Sequence, residues 1–327
     1  MDATTLQTFT SPVVLFFVLG LLAAFARSDL AIPEALAKGM SLYLMAAIGL
    51  KGGVAVSQSG LNVTIGLALL AGITASFLLP IVAFAVLRGF GGLDRLNAGA
   101  VAAHYGSVSV VTFVTAVEIY ELRGTPPGGF MVAVMAAMET PAILTGLLLA
   151  RKAVEENPRP RGEMLHEVFF NASVVLLLGA FAIGMIAGED GFADVAPLFE
   201  AGFKGVLCLF LLDMGLIAAR RIMDSRAVTW RLTAIALLLP LMNGAIGTVL
   251  GTVIGLDVGS AAALGVLCAS ASYIAVPAAM RLALPEADPG IYLTMSLSIT
   301  FPFNILLNIG IIGALASTLA GIGGVSP

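Results

Sequence analysis

The sequence has very few charged residues. They make up only 11% of its 327 residues, whereas hydrophobic residues make up 59%. Soluble domains carry about 25% charged residues, and so few charges cannot cover a surface that faces water. The scarcity of charge therefore excludes an ordinary soluble protein and predicts a polytopic membrane protein.

Histidine and cysteine are also scarce, with two of each. Cys208 and Cys268 lie in apolar segments, where small buried thiols are expected and a disulfide framework is not. His104 and His166 lie far apart and give no metal-site signature. The sequence also lacks a glycine-rich phosphate loop, a nucleophile elbow and a basic aromatic stripe. We therefore predict no enzyme, no organic cofactor and no nucleic-acid partner.

Long apolar segments are abundant. A membrane-spanning helix needs about 20 apolar residues, and this measure predicts an all-α membrane protein with ten transmembrane helices. The predicted spans are residues 11–27, 34–56, 61–88, 96–120, 129–151, 168–188, 197–219, 228–255, 259–283 and 290–318. A hydrophilic linker at 152–167 separates a first half, residues 1–151, from a second half, residues 168–327.

The basic residues predict the orientation of these spans. The loops after the odd-numbered spans share one side of the membrane and hold 13 of the 16 basic residues; the others are Lys51, Arg123 and Lys204. Because basic loops stay inside, that side is predicted to be cytoplasmic. Both termini are then outside, in the periplasm of a bacterial inner membrane.

The two halves resemble each other weakly. Four pairs of matching residues occur in the same order at offsets of 161 to 166 positions: Gly49 with Gly215, Ser107 with Ser270, Ser109 with Ser272, and Pro141 with Pro302. A repeat of five spans is odd in number, so its two copies would be inverted in the membrane. Inverted repeats with interrupted spans are typical of secondary transporters.

Two polar stretches interrupt the apolar segments at matching positions. They are Gly106, Ser107, Val108 and Ser109 in the first half, and Ser270, Ala271, Ser272 and Tyr273 in the second. If a helix breaks there, the next half-helix begins with free N–H groups and the positive end of its dipole, which attract anions. We predict that both stretches bind the substrate, although small residues can instead serve close helix packing.

A carboxylate inside a span is costly to bury and suggests a functional site. Glu139 and Thr140 precede Pro141, which frees a nearby carbonyl, and such oxygens suit a hard cation such as Na⁺. Further candidate cation ligands are Thr112, Thr300 and Asn304. The alternative is a kinked helix with Glu139 near the interface.

Other intramembrane ionisable residues are Lys51, Asp213 and His104. Lys51 and Asp213 either neutralise each other or reach separately towards the surface. His104 is either a proton relay or a hydrogen-bonded packing residue. Glu118 and Glu121 are expected to mark the outer end of the fourth span.

At these residues the sequence resembles the sodium-dependent bicarbonate transporter family, permeases best known from cyanobacteria. The resemblance is carried by residues 32–35, 48–53, 105–109, 138–142 and 269–272, with Pro277. It implies two inverted five-helix repeats, a core domain that moves against a gate domain, and bicarbonate bound with Na⁺ where two interrupted helices cross. It also implies a homotrimer surrounded by membrane lipid, and a PII-like regulatory protein on the cytoplasmic face. Some members carry an aspartate where this chain has Tyr273.

A sodium-coupled symporter for bicarbonate or a similarly small anion is therefore the predicted function. The alternative is a ten-span symporter for a larger organic anion, of the bile-acid type. Such a site would need more aromatic lining than Tyr105 and Tyr273 offer. A membrane sensor would need an output domain, which the sequence does not contain.

Overall fold

The structure of the protein, a computed structural model, describes residues 10–60, 62–150, 172–224 and 228–323. It is 83% helical and contains no strand in these ranges, which confirms the predicted all-α class. The predicted linker at 152–167 lies outside the described residues.

The structure contains fourteen α-helices in the described residues. In the first half they are α1 (Pro12–Phe25), α2 (Glu34–Ser59), α3 (Val63–Gly89), α4 (Arg95–Gly106), α5 (Val110–Leu122) and α6 (Met131–Ala150). In the second half they are α7 (Ala172–Ala193), α8 (Phe203–Asp224), α9 (Trp230–Val253), α10 (Val258–Ala269), α11 (Ala275–Ala283), α12 (Pro289–Leu293), α13 (Phe301–Phe303) and α14 (Ile309–Gly323). Turns of π-helix at Pro197–Ala201, Thr294–Thr300 and Asn304–Asn308 precede α8 and join α12 to α14.

Polar residues in the connections start several of these helices. The side chains of Asn62, Asp94 and Asp257 accept hydrogen bonds from backbone N–H groups in the first turns of α3, α4 and α10, at 2.9–3.0 Å. Such N-caps satisfy donors that have no partner within the helix. The apolar segments therefore begin where the sequence places an Asn or Asp.

Seven helices are long and apolar enough to cross a membrane, which makes this a multi-pass membrane protein. They are Glu34–Gln58, Val63–Gly89, Arg95–Leu122, Met131–Ala150, Val175–Ala193, Trp230–Val253 and Pro289–Ile322. Of the remaining predicted spans, α1 has only 14 residues, and α10 has only 12 before its helix is interrupted. Helix α8 carries Lys204, Asp213, Arg220 and Arg221. The number ten therefore stays a prediction.

Four helices pack closely as two pairs, α1 against α8 and α2 against α7. We call them the four-helix group. Gly20 and Gly215 face each other in the first pair. A Cβ atom on either glycine would lie 3.1 Å from the Cα atom of the other glycine. In the second pair, Gly49 lies against the backbone of α7, where a Cβ would come within 2.8 Å of the Leu177 carbonyl oxygen. Small residues let these helix backbones approach closely.

The remaining helices form a second assembly, which we call the crossing group. Helices α3, α4 and α6 pack on one another, and so do α9, α10 and α14. Helix α3 contacts α9, α5 packs on α10, and α11 packs on α6. The interrupted helices of each half therefore pack against helices of the other half.

Candidate functional site

The helix is interrupted at both polar stretches. Helix α4 ends at Gly106 and α5 begins at Val110, while α10 ends at Ala269 and α11 begins at Ala275. A side chain at Gly106 would overlap the ring of Pro80 in α3. Only glycine therefore allows α4 to end against α3 in this way.

The two interruptions meet each other directly. The backbone N–H of Ser109 donates to the hydroxyl of Ser270 at 3.1 Å, and the N–H of Ser272 donates to the carbonyl of His104 at 3.0 Å. The ring Nδ1 of His104 and the carbonyl oxygen of Ser272 lie 2.5 Å apart. These contacts join residues that are more than 160 positions apart, so the two predicted substrate stretches form one site.

Ser109 is arranged as a hydrogen-bond donor to this site. Its Oγ caps α5 and accepts hydrogen bonds from the backbone N–H of Thr112 at 3.2 Å and from the Thr112 hydroxyl at 3.0 Å. A serine hydroxyl has two acceptor lone pairs and one proton. Because Thr112 occupies both lone pairs, the proton is what Ser109 can offer to a ligand. The Oγ of Ser272 accepts from the N–H of Val276 at 3.4 Å, so its proton and one lone pair remain.

Glu139 supplies the negative charge of the site. It lies on α6, is 3% exposed, and its Oε2 has no hydrogen-bond partner among the described residues. Burying an ionised carboxylate without a partner is costly. A cation beside Glu139 would remove this cost.

Helix α6 is opened next to Glu139. Pro141 has no N–H to donate, and Ser76 of α3 inserts its hydroxyl between Met138 and Ala142. That hydroxyl donates to the Met138 carbonyl at 2.5 Å and accepts from the Ala142 N–H at 3.2 Å. The Met138 carbonyl therefore bonds to the Ser76 hydroxyl, and the Ala137 carbonyl lacks the N–H donor that position 141 supplies in a regular helix.

A small cavity lies where these groups meet. It is lined by Met45, Val108, Ser109, Val110, Glu139, Ser272, Tyr273, Ile274 and Ala275. Its volume of about 10 Å³ holds roughly one water molecule. The cavity therefore combines two hydroxyl donors with one carboxylate, and Met45 of the four-helix group covers it.

Of the other predicted substrate residues, Val108 and Tyr273 line this cavity, whereas Gly106, Ser107, Ser270 and Ala271 do not. Ser107 donates from its hydroxyl to the Glu139 carbonyl at 3.0 Å, and Ser270 donates to the Leu267 carbonyl at 2.8 Å. Gly106 and Ala271 are buried. Tyr273 lines the cavity, and its ring centroid lies 5.0 Å from that of Phe301.

The predicted cation ligands divide into two places. Thr112 is bonded to Ser109, and Thr140 is buried beside Glu139. Thr300 donates to the Ala236 carbonyl at 2.6 Å and lies 2.7 Å from the Tyr105 hydroxyl, while Asn304 donates to the Ala269 carbonyl at 2.9 Å. None of these four residues lines the cavity; of the predicted cation ligands, only Glu139 does.

Lys51 and Asp213 do not pair with each other in the described part of the chain. The Nζ of Lys51 lies 5.8 Å from the centroid of the Phe203 ring. Asp213 is 4% exposed, and its Oδ2 has no hydrogen-bond partner among the described residues. The structure therefore does not support the interpretation that Lys51 and Asp213 neutralise each other.

Sequence reasoning missed the contacts of three buried polar residues. Ser76 opens α6, Asn243 of α9 donates to the Tyr105 carbonyl at 3.3 Å, and Glu118 of α5 accepts an ion pair from Lys204 of α8 at 2.9 Å. Glu118 is buried, so it does more than mark the end of a span. The available signal was that Ser76 and Asn243 are isolated polar residues in long apolar segments.

The chain was also compared with known proteins. A family model described as the Na⁺-dependent bicarbonate transporter superfamily matches residues 12–317. The match includes both interruptions and Glu139, and it confirms the resemblance drawn from the sequence motifs. No curated protein matches the chain.

Proposed function

Because this chain belongs to the Na⁺-dependent bicarbonate transporter superfamily, a family of transporters and not of enzymes, we propose that it is a symporter. It imports bicarbonate, or an equally small monovalent anion, together with Na⁺. The observation that carries this proposal is the cavity that Ser109 and Ser272 line together with Glu139, whose Oε2 has no hydrogen-bond partner among the described residues.

The anion lies between the two interruptions in this proposal. Helices α5 and α11 begin there, and the positive ends of their dipoles favour negative charge. The hydroxyls of Ser109 and Ser272 donate to the anion, because the Ser109 lone pairs are already occupied. The backbone of Val108 and Tyr273 completes the lining.

Na⁺ lies beside Glu139 in this proposal. Its ligands are the carboxylate, the Ala137 carbonyl that Pro141 leaves without a helical donor, and the Thr140 hydroxyl. Thr300 and Asn304 hold backbone carbonyls elsewhere, so they support the fold of the site instead of binding the ion. Na⁺ and the anion neutralise each other, so each raises the affinity for the other by the same factor.

The proposed architecture is ten spans in two inverted repeats, residues 1–151 and 168–327. The packing of the helices supports this architecture. In the repeat, α1 corresponds to α7 and α2 to α8, and the pair α1–α8 therefore matches the pair α7–α2. In the same way, the packing of α3, α4 and α6 on one another matches that of α9, α10 and α14. Gly49 and Gly215, which match in sequence, both lie where a helix backbone approaches closely. The four-helix group then corresponds to the gate and the crossing group to the core.

The proposed setting is a bacterial inner membrane with both termini in the periplasm. The basic side of the chain faces the cytoplasm. The homotrimer and the docking of a PII-like regulator at the cytoplasmic face rest on the resemblance to the family.

A larger organic anion is less consistent with the site. The cavity has room for roughly one water molecule, and Tyr273 is its only aromatic lining residue among the described residues. A small rearrangement of the four-helix group would accommodate bicarbonate, whereas a bile acid would require a much larger opening.

Uptake of ¹⁴C-bicarbonate into proteoliposomes tests this function. With an inhibitor of carbonic anhydrase present, we expect uptake with external Na⁺ and none above background with K⁺. Glu139→Gln removes the charge that holds Na⁺ and should lower Na⁺-dependent uptake at least about tenfold, because interactions with charged groups contribute roughly 1.5–3 kcal/mol.

Glu121→Gln is the matched control, because Glu121 is exposed on α5, away from the cavity. Uptake by this variant should equal that of the wild type. If folded wild-type protein takes up no bicarbonate but accumulates acetate or another small anion with Na⁺, the substrate assignment is wrong and the site survives. Equal uptake by Glu139→Gln and the wild type would exclude Glu139 from coupling.

A further inference from the structure

His104 is the residue that connects the two interruptions most closely. It lies in α4, its side chain is fully buried, and its ring stacks on Tyr292 with the centroids 4.9 Å apart. Its backbone carbonyl accepts from the Ser272 N–H at 3.0 Å, and its ring Nδ1 lies 2.5 Å from the Ser272 carbonyl oxygen. Both backbone polar groups of Ser272 are therefore bound by one residue of the other half.

The protonation of the ring follows from its partners. A carbonyl oxygen only accepts, so Nδ1 must carry the proton and donate. The other ring nitrogen, Nε2, is buried and has no hydrogen-bond partner among the described residues. His104 is therefore a neutral imidazole protonated at Nδ1.

The Ser272 carbonyl needs this donor because helix α11 does not supply one. Ser272 lies in the interruption, three residues before α11 begins at Ala275, and the N–H of Val276 binds the Ser272 hydroxyl, at 3.4 Å. An unsatisfied carbonyl at membrane depth is costly, so the His104 ring supplies the donor.

The first interruption has no equivalent of this contact. At the sequence offset of 163, His104 matches Leu267 and Ser272 matches Ser109. The Ser109 N–H reaches Leu267 through the Ser270 hydroxyl, at 3.1 and 2.8 Å, and the Ser109 carbonyl accepts the N–H of Phe113 within α5. The Ser109 carbonyl thus finds its donor within its own helix, whereas the Ser272 carbonyl depends on His104.

We propose that His104 is a positioning residue for the anion site: its Nδ1–H fixes the backbone of Ser272 so that the Ser272 hydroxyl faces the cavity. This inference rests on the proposed function for the identity of the ligand. The contact between His104 and Ser272 itself does not depend on that identity.

Three substitutions at position 104 test the donor. The side-chain nitrogen of Asn is as many bonds from Cα as Nδ1, whereas that of Gln corresponds to Nε2. His104→Asn should keep the hydrogen bond, and His104→Gln and His104→Leu should lose it. We expect His104→Gln and His104→Leu to raise the KM for bicarbonate about tenfold, as the loss of one buried hydrogen bond does. The kcat should change less, and His104→Asn should stay within about threefold of the wild type.

Thr248→Val is the control, because Thr248 is equally buried but bonds only within α9, to the Gly244 carbonyl at 2.8 Å. Its KM should not change. The proposal is wrong if His104→Asn is as impaired as His104→Leu, or if all three variants at position 104 keep the wild-type KM.

Thermal unfolding in detergent without substrate separates this inference from the proposed function. His104→Leu leaves the Ser272 carbonyl unsatisfied and should lower the unfolding temperature, and His104→Asn should restore it while His104→Gln should not. If wild-type protein transports no bicarbonate, this order of stabilities still supports the contact. The same unfolding temperature for all three variants would overturn it.

Discussion

The chemistry of the cavity depends on which atoms of its polar side chains remain available. Ser109 uses both oxygen lone pairs to cap α5 and to hold Thr112, which leaves only its proton for a ligand. The Oε2 of Glu139 is an acceptor without a partner in the described part of the chain. One side chain therefore suits an anion and the other a cation, so the two solutes can lie next to each other.

Removal of either serine hydroxyl should weaken binding of the anion. A hydrogen bond to a charged group contributes about 1.5–3 kcal/mol, so Ser109→Ala and Ser272→Ala should each raise the KM for bicarbonate at least about tenfold. Ser296→Ala is the control, because Ser296 is as buried but bonds to the Tyr292 carbonyl at 2.7 Å. Initial rates of uptake over a range of bicarbonate concentrations measure this effect. Wild-type KM values in both variants would place the anion elsewhere.

Ser109→Ala also removes the N-cap of α5, which costs about 1 kcal/mol of stability. Ser109→Thr keeps both the cap and the hydroxyl. If Ser109→Thr restores the KM, loss of the hydroxyl causes the raised KM of Ser109→Ala. If Ser109→Thr restores only the unfolding temperature, loss of the N-cap causes the lower stability and the hydroxyl does not bind the anion.

At the scale of the helices, the close contacts of Gly106 with Pro80 and Ala142 fix where α4 ends. A Cβ at Gly106 would overlap the ring of Pro80 and lie 3.0 Å from the Cβ of Ala142. Proline rings are rigid, so α3 would have to move away from α4. The position of Ser109 relative to Glu139 therefore depends on the absence of a side chain at Gly106.

Gly106→Ala should lower both stability and uptake. Overpacking of a well-packed interior costs about 1–3 kcal/mol. Gly66→Ala in α3 is the matched control, because nothing lies within 4 Å of a Cβ there, and alanine stabilises an exposed helical position by up to about 1 kcal/mol relative to glycine. Thermal unfolding of the two variants in detergent measures both effects. An unfolding temperature for Gly106→Ala at or above that of the wild type would contradict this account of the α3–α4 contact.

The sequence predicted the helical elements better than their internal irregularities. The apolar lengths and the polar interruptions at Ser107 and Ser270 follow from local composition. The π-helical turns at Thr294–Thr300 and Asn304–Asn308 do not. Thr300 and Asn304, which lie in these turns, bond to backbone carbonyls of neighbouring helices that are distant in sequence. The sequence could not reveal these partners, and the role of Thr300 and Asn304 as cation ligands stays a prediction.

At the scale of the whole molecule, one ion pair joins the two groups of helices. Glu118 belongs to α5 of the crossing group, Lys204 belongs to α8 of the four-helix group, and their charged atoms are 2.9 Å apart. The side chain of Glu118 is 4% exposed and that of Lys204 is 57% exposed. If the two groups slide past each other during transport, this contact must break in every cycle.

A reversible cross-link between these positions tests that motion. Glu118→Cys and Lys204→Cys would be combined in a protein in which the native Cys208 and Cys268, both buried, are replaced by alanine. Before cross-linking we expect Na⁺-dependent uptake, because an ion pair with one exposed partner contributes only about 0.2–1 kcal/mol. A short bifunctional thiol reagent with a reducible linker should then abolish uptake, and reduction of the linker should restore it.

The same reagent should leave each single-cysteine variant active, which controls for modification at one position. Cross-linked protein that still transports at the uncross-linked rate would show that α5 and α8 keep a fixed distance throughout the cycle. The moving boundary would then lie elsewhere, and the contact between Met45 and the cavity would be the next place to introduce a cross-link, since Met45 is the residue through which the four-helix group covers the site.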